Sequence, residues 1–511
     1  MVKSITATIC KNTLPPRYYS AIPGKDFNED YYKHFYSQLN YNQMLYRIVL
    51  QRSTQKVLRW AQWSRVDLCL VNEMGLPSCQ NISANIQVQL SCKLLTRRND
   101  SFVEDARYQV DTQPLQDDEW GYDGQRLANT IGFDQSNRGG LQFRIRPSAN
   151  DKLDPRSHNV YLYIFQSHAE RDSLTASKVL PLVIGPLVIN DHKDHSGFDP
   201  FSVPSMWSDV VSKNLAAQPA AAITSVNEGF WDQKQETNRS YRAYPFRCGQ
   251  DERYILLEEN WRSGMPGKIW DGALVITDIF AKRLAKDPSF LDNVHIMDLS
   301  AGLGCFGVAI SFIYQILRRH NSVSRHGTPP SVTLTDLQEA LPLIRRNYQL
   351  NMPPAKTLDQ NNQQQQSLQA VSHPFVSITP LRWGMQCDSQ KVTAWKPIDY
   401  IIASDVLYDP SKTSALLQTL IHLSSPGVTT VYLVYKKRAL KREEEEAFFM
   451  GCRQYFDLSV MPEYPNETGL CRDESSVDGS TWLGCDIENT STPHSIQATQ
   501  FGVVVYLMKR R

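Results

Sequence analysis

The sequence predicts an α/β second half built on a doubly wound parallel sheet, preceded by a mostly-β, sandwich-like first half. Three observations predict it. From about Phe246 onward, strand-length apolar runs alternate with helix-length amphipathic runs, the pattern of parallel strands joined by crossover helices. Before it, apolar residues alternate strictly at Ile86, Val88, Leu90, Cys92 and Leu94, and again at Leu141, Phe143 and Ile145, the period of half-buried strands. Between them, a stretch rich in Ser, Asn, Pro and Ala reads as a connection. The expected division is therefore a β-rich domain over 1–191, a linker over 192–245 and an α/β domain over 246–511.

In the first half, Val66–Val71, Val160–Phe165 and Val179–Ile189 are further strand candidates, and a helix is expected somewhere in Tyr31–Trp63. In the second half the strands are expected at Val294–Leu299, Ser331–Thr335, Phe375–Pro380, Tyr400–Ser404, Thr430–Tyr435 and Gly502–Met508. Helices are expected at Gly272–Ala285, Gly307–Arg318, Gln338–Leu350, Thr413–Ser424 and Lys441–Gln454. Arg319–Pro330, Leu358–Ser372 with its Gln/Asn run, and Pro462–His494 read as insertions.

A chain of 511 residues exceeds one ordinary core. Its net charge of +1 gives no overall attraction to nucleic acid or an anionic membrane. Ten cysteines occur without a Cys-x-x-Cys pair, which argues against a zinc ribbon and leaves no metal site to expect. The polar start at Met1-Val2-Lys3-Ser4 favours a reducing compartment, the cytoplasm with the nucleus as a second location. The long apolar run Leu299–Leu317 follows Asp298 and clustered glycines, so a buried strand-turn-helix is expected rather than a membrane span. Lys436, Lys437, Arg438, Lys441 and Arg442 precede Glu443–Glu446, which reads as a solvated face.

Ligands of open parallel sheets bind beyond the carboxyl ends of the strands. Asp298 ends one candidate strand, and Gly302 and Gly304 form the turn after it, where missing Cβ atoms let backbone approach a ligand. Asp336 ends the next strand, where a carboxylate can accept two hydrogen bonds from a ribose diol. The competing reading of Asp336 is a helix cap, with Glu339 three residues on.

These stretches, in order, resemble the seven-β-strand, class I S-adenosylmethionine-dependent methyltransferases, and among them the non-SET protein-lysine methyltransferases acting on chaperones and elongation factors. The shared segments are Gly267–Ala273, Asp298–Gly304, Leu334–Asp336, Leu341–Ile344 with Asn347 and Asn351, Leu381–Gly384, Asp399–Tyr408 and Val431–Arg438. The resemblance spans about Phe246–Arg511 and implies a Rossmann-like, doubly wound, seven-stranded sheet. It also implies roles. Trp270, Asp298, Ser300, Ala301, Gly302, Gly304, Asp336, Trp383 and Ser404 would surround S-adenosyl-L-methionine. Asp405 and Tyr408 would form the rim that receives a lysine, with Asp405 facing the acceptor rather than the cofactor. The implied partner is a protein substrate, such as a chaperone or translation factor, with no membrane and no nucleic acid for this half.

The family's usual Glu-Leu-Gly-Ala-Gly loop is here Asp298-Leu299-Ser300-Ala301-Gly302, and Ser404 stands where alanine is usual. A degenerate fold in a regulatory or DNA-binding protein, and a non-lysine acceptor, are the alternatives. For the first half, Ser83–Leu90 and Gly185–His192 resemble the β-rich region before the TIG-type domain of fungal membrane-tethered transcription activators, which leaves nucleic acid open there.

Overall fold

The computed structural model describes residues 45–51, 54–75, 89–98, 101–115, 132–133, 138–148, 159–167, 179–190, 239–249, 251–320, 327–352, 375–394, 396–438, 440–461 and 502–511. Ile86 and Val88 and the second and third expected insertions lie outside them. The first half supplies strands β1 (Tyr46–Leu50), β2 (Val57–Arg59), β3 (Ser64–Val71), β4 (Leu90–Arg98), β5 (Ser101–Glu104), β6 (Tyr108–Gln113), β7 (Gly132–Phe133), β8 (Arg138–Pro147), β9 (Asn159–Gln166), β10 (Val179–Leu180) and β11 (Leu182–Asn190). A hairpin of β12 (Arg239–Cys248) and β13 (Asp251–Glu259) follows. Within Tyr31–Trp63 the described residues form β1 and β2, not the expected helix. The β-branched pair Ile48-Val49 is buried there on both faces of a strand.

One sheet runs β10-β1-β3-β8-β6, and a second runs β12-β13-β5-β4-β9-β11-β2. Ile48, Val66, Leu68, Leu94, Leu141, Phe143, Ile145, Leu162 and Ile184 fill the space between them, as their alternation predicts. The second sheet also joins β12 to β11, so six of its strands close into a ring. Leu95, Phe102, Tyr163, Val183, Tyr241, Ala243, Tyr254 and Leu256 pack together as a separate cluster on those strands.

The boundary expected at 245/246 therefore cuts through a strand. On β12 and β13, Tyr241, Ala243, Tyr254 and Leu256 join the ring cluster, whereas Tyr244, Phe246, Cys248, Ile255 and Leu257 join the core of the α/β half. The period of two turns one hairpin into a wall shared by two cores. Sequence patterning had placed this hairpin partly in the linker.

The α/β half holds β14 (His295–Leu299), β15 (Ser331–Asp336), β16 (Phe375–Pro380), β17 (Tyr400–Ser404), β18 (Thr430–Lys436), β19 (Phe456–Val460) and β20 (Val503–Arg510) in the order β16-β15-β14-β17-β18-β20-β19. The first five pair in parallel, and β20 runs antiparallel to both neighbours. Ile296, Leu334, Ile402 and Val434 pack with α1 (Asp271–Lys286), α2 (Cys305–His320) and α3 (Leu341–Asn351). Met297, Leu299, Ile401, Ala403 and Leu433 lie in a second core with α5 (Thr413–Leu423) and α6 (Arg442–Arg453). Alternate residues of each strand thus serve two layers, which is why these strands read as continuous apolar runs. The short α4 (Gln386–Thr393) and β19 escaped sequence reading. Among the described residues no helix is long and apolar enough to cross a membrane. Leu299–Leu317 forms the end of β14, the turn and α2.

Two asparagines join α3 to the stretch of β13 that runs on beyond its pairing with β5 at Tyr254. Asn351 accepts from the Leu256 N–H (3.0 Å) and donates to the Leu256 carbonyl (2.7 Å). Asn347 accepts from the Glu258 N–H (2.7 Å) and donates to the Glu258 carbonyl (3.2 Å). Four residues of helix rise about 6.0 Å and two residues of strand about 6.8 Å, so an i, i+4 pair matches alternate strand residues. Asn351→Ala should lower the unfolding free energy of the whole chain by about 2 kcal/mol or more, because two buried backbone groups lose their partner, measured by denaturant titration. A fragment beginning at Phe246 should not fold alone, since it keeps only the last three residues of β12 and, of the ring's other strands, only β13. A cooperative thermal transition from that fragment would contradict the shared wall.

Candidate active site at the ends of β14, β15 and β17

The turn after β14 is held by backbone. Ser300, Gly302 and Gly304 take φ values of +60°, +60° and +88°, so the chain reverses through left-handed conformations that glycine adopts freely and serine rarely. The Ala301 N–H donates to the Thr335 carbonyl (2.8 Å), tying the turn to β15. Below it, the buried Asp298 carboxylate accepts from the Gly307 N–H (2.9 Å), pinning the first turn of α2. Burial first, then the charge of Asp336, pushes Asp298 up to about 7.

Asp336 closes the same loop. Its Oδ2 accepts from the Gly302 N–H (2.8 Å) and its Oδ1 from the Leu337 N–H (2.7 Å). Helix α3 starts only at Leu341, with Ala340 at its cap position, so Asp336 is not the cap of that helix. Burial raises Asp336 to about 6 against the two backbone bonds. A carboxylate retains acceptor capacity beyond two bonds. The hydrogen-bond donors it already has are backbone N–H groups of the glycine turn and the next residue. At Gly302 an added Cβ would meet only Pro266, at 3.6 Å and beyond. These features fit an S-adenosyl nucleoside whose diol donates to Asp336 while the turn backs the amino-acid end.

The aromatic expectations come together on the same rim. Trp383 Nε1 donates to Ser300 Oγ (3.0 Å), so the serine that replaces glycine is used. The Trp383 and Tyr408 rings lie 6.1 Å apart at 48°. Trp270 donates to the Met265 carbonyl (2.9 Å), and its ring lies under Lys268 Nζ (4.4 Å) and the Arg438 guanidinium (5.2 Å). Ser404 ends β17 and is half-buried, and Trp270, Ser300, Asp336, Trp383 and Tyr408 are half-buried too.

Asp405 sits elsewhere than expected. Its backbone takes φ +55° and its side chain is buried. One carboxylate oxygen accepts from the Gly272 N–H at the start of α1 (2.6 Å), and the other pairs with Arg438. No side chain of the Trp270 cap position closes that helix, so Asp405 supplies the negative charge its N-terminus favours. Gly272 has to be glycine, because an added Cβ would collide with the Asp405 carboxylate. Rather than facing an acceptor freely, Asp405 fastens the Trp270–Gly272 segment to the end of β17. Its shift is upward, from burial first and against the pull of Arg438.

Behind Asp405 lies a buried ionic cluster that sequence reading missed. Arg438 makes two bonds to Glu73 (2.8 and 3.1 Å). Lys436 pairs with Asp271 (2.6 Å) and Glu73 (3.6 Å). Arg47 donates to Asp271 (2.7 Å) and the Ile269 carbonyl (3.1 Å). Burial raises Glu73, but Arg438 and Lys436 together hold it well below the usual carboxylate range. Lys436 and Arg438 alternate inward from the basic run expected to be solvated; Lys437 and Arg442 do pair outward, with Glu445 and Glu446. The missed signal was Lys-x-Arg at the end of a buried strand.

Asp405→Ala should cost about 3 kcal/mol or more, since it leaves Arg438 half-paired in a buried site and strips the start of α1 of its acceptor. It should also weaken binding of S-adenosylmethionine, because Trp270 rides on that segment. Gly272→Ala should reproduce both effects. Thermal denaturation and calorimetry measure them, and a stable Asp405→Ala protein would show that the carboxylate is not the anchor.

Residues 249–454 match the model of a protein family described as lysine methyltransferase. Protein N-lysine methyltransferase METTL21A of Danio rerio is 27% identical over 205 residues, covering 40% of this chain and 75% of its own length. The protein of the same name from Xenopus tropicalis is 26% identical over 172 residues, 34% of this chain and 61% of its own. EEF1A lysine methyltransferase 3 of Xenopus tropicalis is 26% identical over 202 residues, 40% of this chain and 70% of its own. The chain thus spans about three fifths to three quarters of these relatives. The matched segment takes in the hairpin strand β13, the glycine turn, Asp336, both rim tryptophans and Asp405–Tyr408. Residues 249–454 thus resemble lysine methyltransferases, and this segment is joined here to a β-rich first half.

Proposed function

We propose that the protein transfers a methyl group from S-adenosylmethionine to a lysine side chain of a protein substrate. The observation that carries the reading is the Asp336–Gly302 pair within the matched segment, with Trp383 bonded to Ser300 of the same turn and Tyr408 beside Trp383. The strand order, with its reversal between β15 and β17 around β14, supports a Rossmann-like, doubly wound methyltransferase sheet. The cofactor supplies an electrophilic methyl on sulfonium, and the protein's task is positional. Lysine has an ordinary pKa of about 10.4, so the acceptor must lose its proton to solvent before it attacks. Trp383 and Tyr408 offer a partly dry aromatic wall that orients the amine. Asp405 holds the Trp270–Gly272 segment at the start of α1. The β-rich half is proposed as the surface that selects the acceptor. A translation factor or chaperone is the proposed class, supported by the name of the EEF1A-directed relative.

The test is calorimetric titration of the full chain with S-adenosylmethionine. The ribose bonds require an ionised carboxylate, and Asp336 takes up its proton at about 6. Affinity should therefore hold at neutral pH and weaken as pH falls through 6. Asp336→Asn should bind roughly ten- to a hundredfold more weakly at pH 7.5, the loss of charge-assisted bonds, and should lose that acidic limb. An Asn variant with the parental pH profile would remove Asp336 from the ribose. Methyl-lysine mass spectrometry of cells with and without the gene identifies the acceptor, and no lost methylation would overturn the reading.

A further inference from the structure

The β-rich half reaches into the rim through one loop. After β3, Asn72 folds the chain into a turn, accepting from the Met74 N–H on its side chain (2.9 Å) and from the Gly75 N–H on its carbonyl (3.0 Å). That turn presents Glu73 and Met74 to the second half. Met74 packs in the same core as Val406 and Leu407, with Trp270 and Trp383 against it. Gly75 lies against the Trp261 ring, where an added Cβ would approach to 2.9 Å. The Glu73 side chain is 2% exposed.

Glu73 connects to the rim twice. Its carboxylate grips Arg438 in a two-bond fork, and the remaining arm of that guanidinium holds Asp405. Its backbone carbonyl accepts from Lys268 Nζ (2.6 Å), whose ammonium covers the Trp270 ring. An arginine fork fixes direction as well as charge, so Arg438 can aim at Asp405 only while Glu73 holds its other side. Without Glu73, Lys436 and Asp271 would remain paired, but Arg438 would lose the group that sets its plane.

We propose that Glu73, on the loop after β3, is a positioning residue of the methyl-transfer site, acting through Arg438 on Asp405. The reaction rim is then completed in cis by the β-rich half. This rests on the lysine methyltransferase reading for its functional meaning and on geometry alone for the positioning itself.

The experiment uses the full chain with Glu73→Gln, which keeps shape and removes the charge, and Arg438→Lys, which keeps charge and removes the fork. Amide hydrogen exchange is followed at Gly272, whose N–H is bound by Asp405, and at Ala301, whose N–H is bound to Thr335 off the network. Exchange at Gly272 should rise at least tenfold in either variant, with Ala301 within twofold. Transfer from tritiated S-adenosylmethionine at saturation, to extract proteins from cells lacking the gene, should fall at least tenfold in the same variants. Unchanged Gly272 protection, or an equal rise at both amides, would overturn the proposal, the second by showing general loosening. If the parent labels no protein, the methyltransferase reading fails while the exchange ratio still decides the positioning. If one variant does not fold, the other decides.

Discussion

The structure depends on a buried ionic cluster that no single half can complete. Moving a charge out of water costs several kcal/mol even after relaxation, and the cost is met only when every member is paired. Glu73 and Arg47 come from the first half, and Asp271, Asp405, Lys436 and Arg438 from the second. Separated, the second half would keep its Lys436–Asp271 and Arg438–Asp405 pairs, but Glu73 would lose Arg438 and Lys436, and Arg47 would lose Asp271. Lys268 shows the balance being trimmed: burial, then Arg47, lowers it to about 7, so near neutral pH the cluster sheds part of its surplus positive charge. Such a cluster is weak evidence for stability, yet strong geometric control.

Control is what the rim needs. Ser300 and Asp405 both sit in left-handed conformations that non-glycine residues rarely keep, and each is held by a bond of its side chain, to Trp383 and to Gly272 with Arg438 respectively. Strain of this kind persists where surroundings over-determine it. Here the strained residues stand at the ends of the two central strands, β14 and β17, where the sheet opens.

Much of the α/β half was legible because its signals are local. Buried parallel strands read as apolar runs, and Gly302, Gly304 and Asp336 fall at strand ends that periodicity finds without any structure. Trp383 and Ser300, far apart in sequence, are joined by a hydrogen bond that no local signal foretells. What stayed hidden is non-local. Nothing near Glu73 announces that its carboxylate meets Arg438, 365 residues away. Asp405 looked like a rim group because sequence shows a carboxylate, not the donors that occupy it. The β12–β13 hairpin was passed over because its alternation carries apolar residues on both faces, a pattern that short amphipathic templates do not separate from irregular chain. Asn347 and Asn351 were noted as family-like, but their role as a surrogate strand edge requires knowing that β13 lies beside them.

The shared hairpin bears on how such a protein can change over generations. On β12 and β13 the residues facing the ring cluster and those facing the α/β core interleave, so these strands have little surface on which substitutions drift freely. A change at Tyr244 or Ile255 is judged by one core, and a change at Tyr254 or Leu256 by the other. Recombination that traded the β-rich half for an unrelated domain would have to preserve Arg239–Glu259, although the family match begins only at residue 249, inside it. Exchange of either half alone would leave one face of this hairpin without its core.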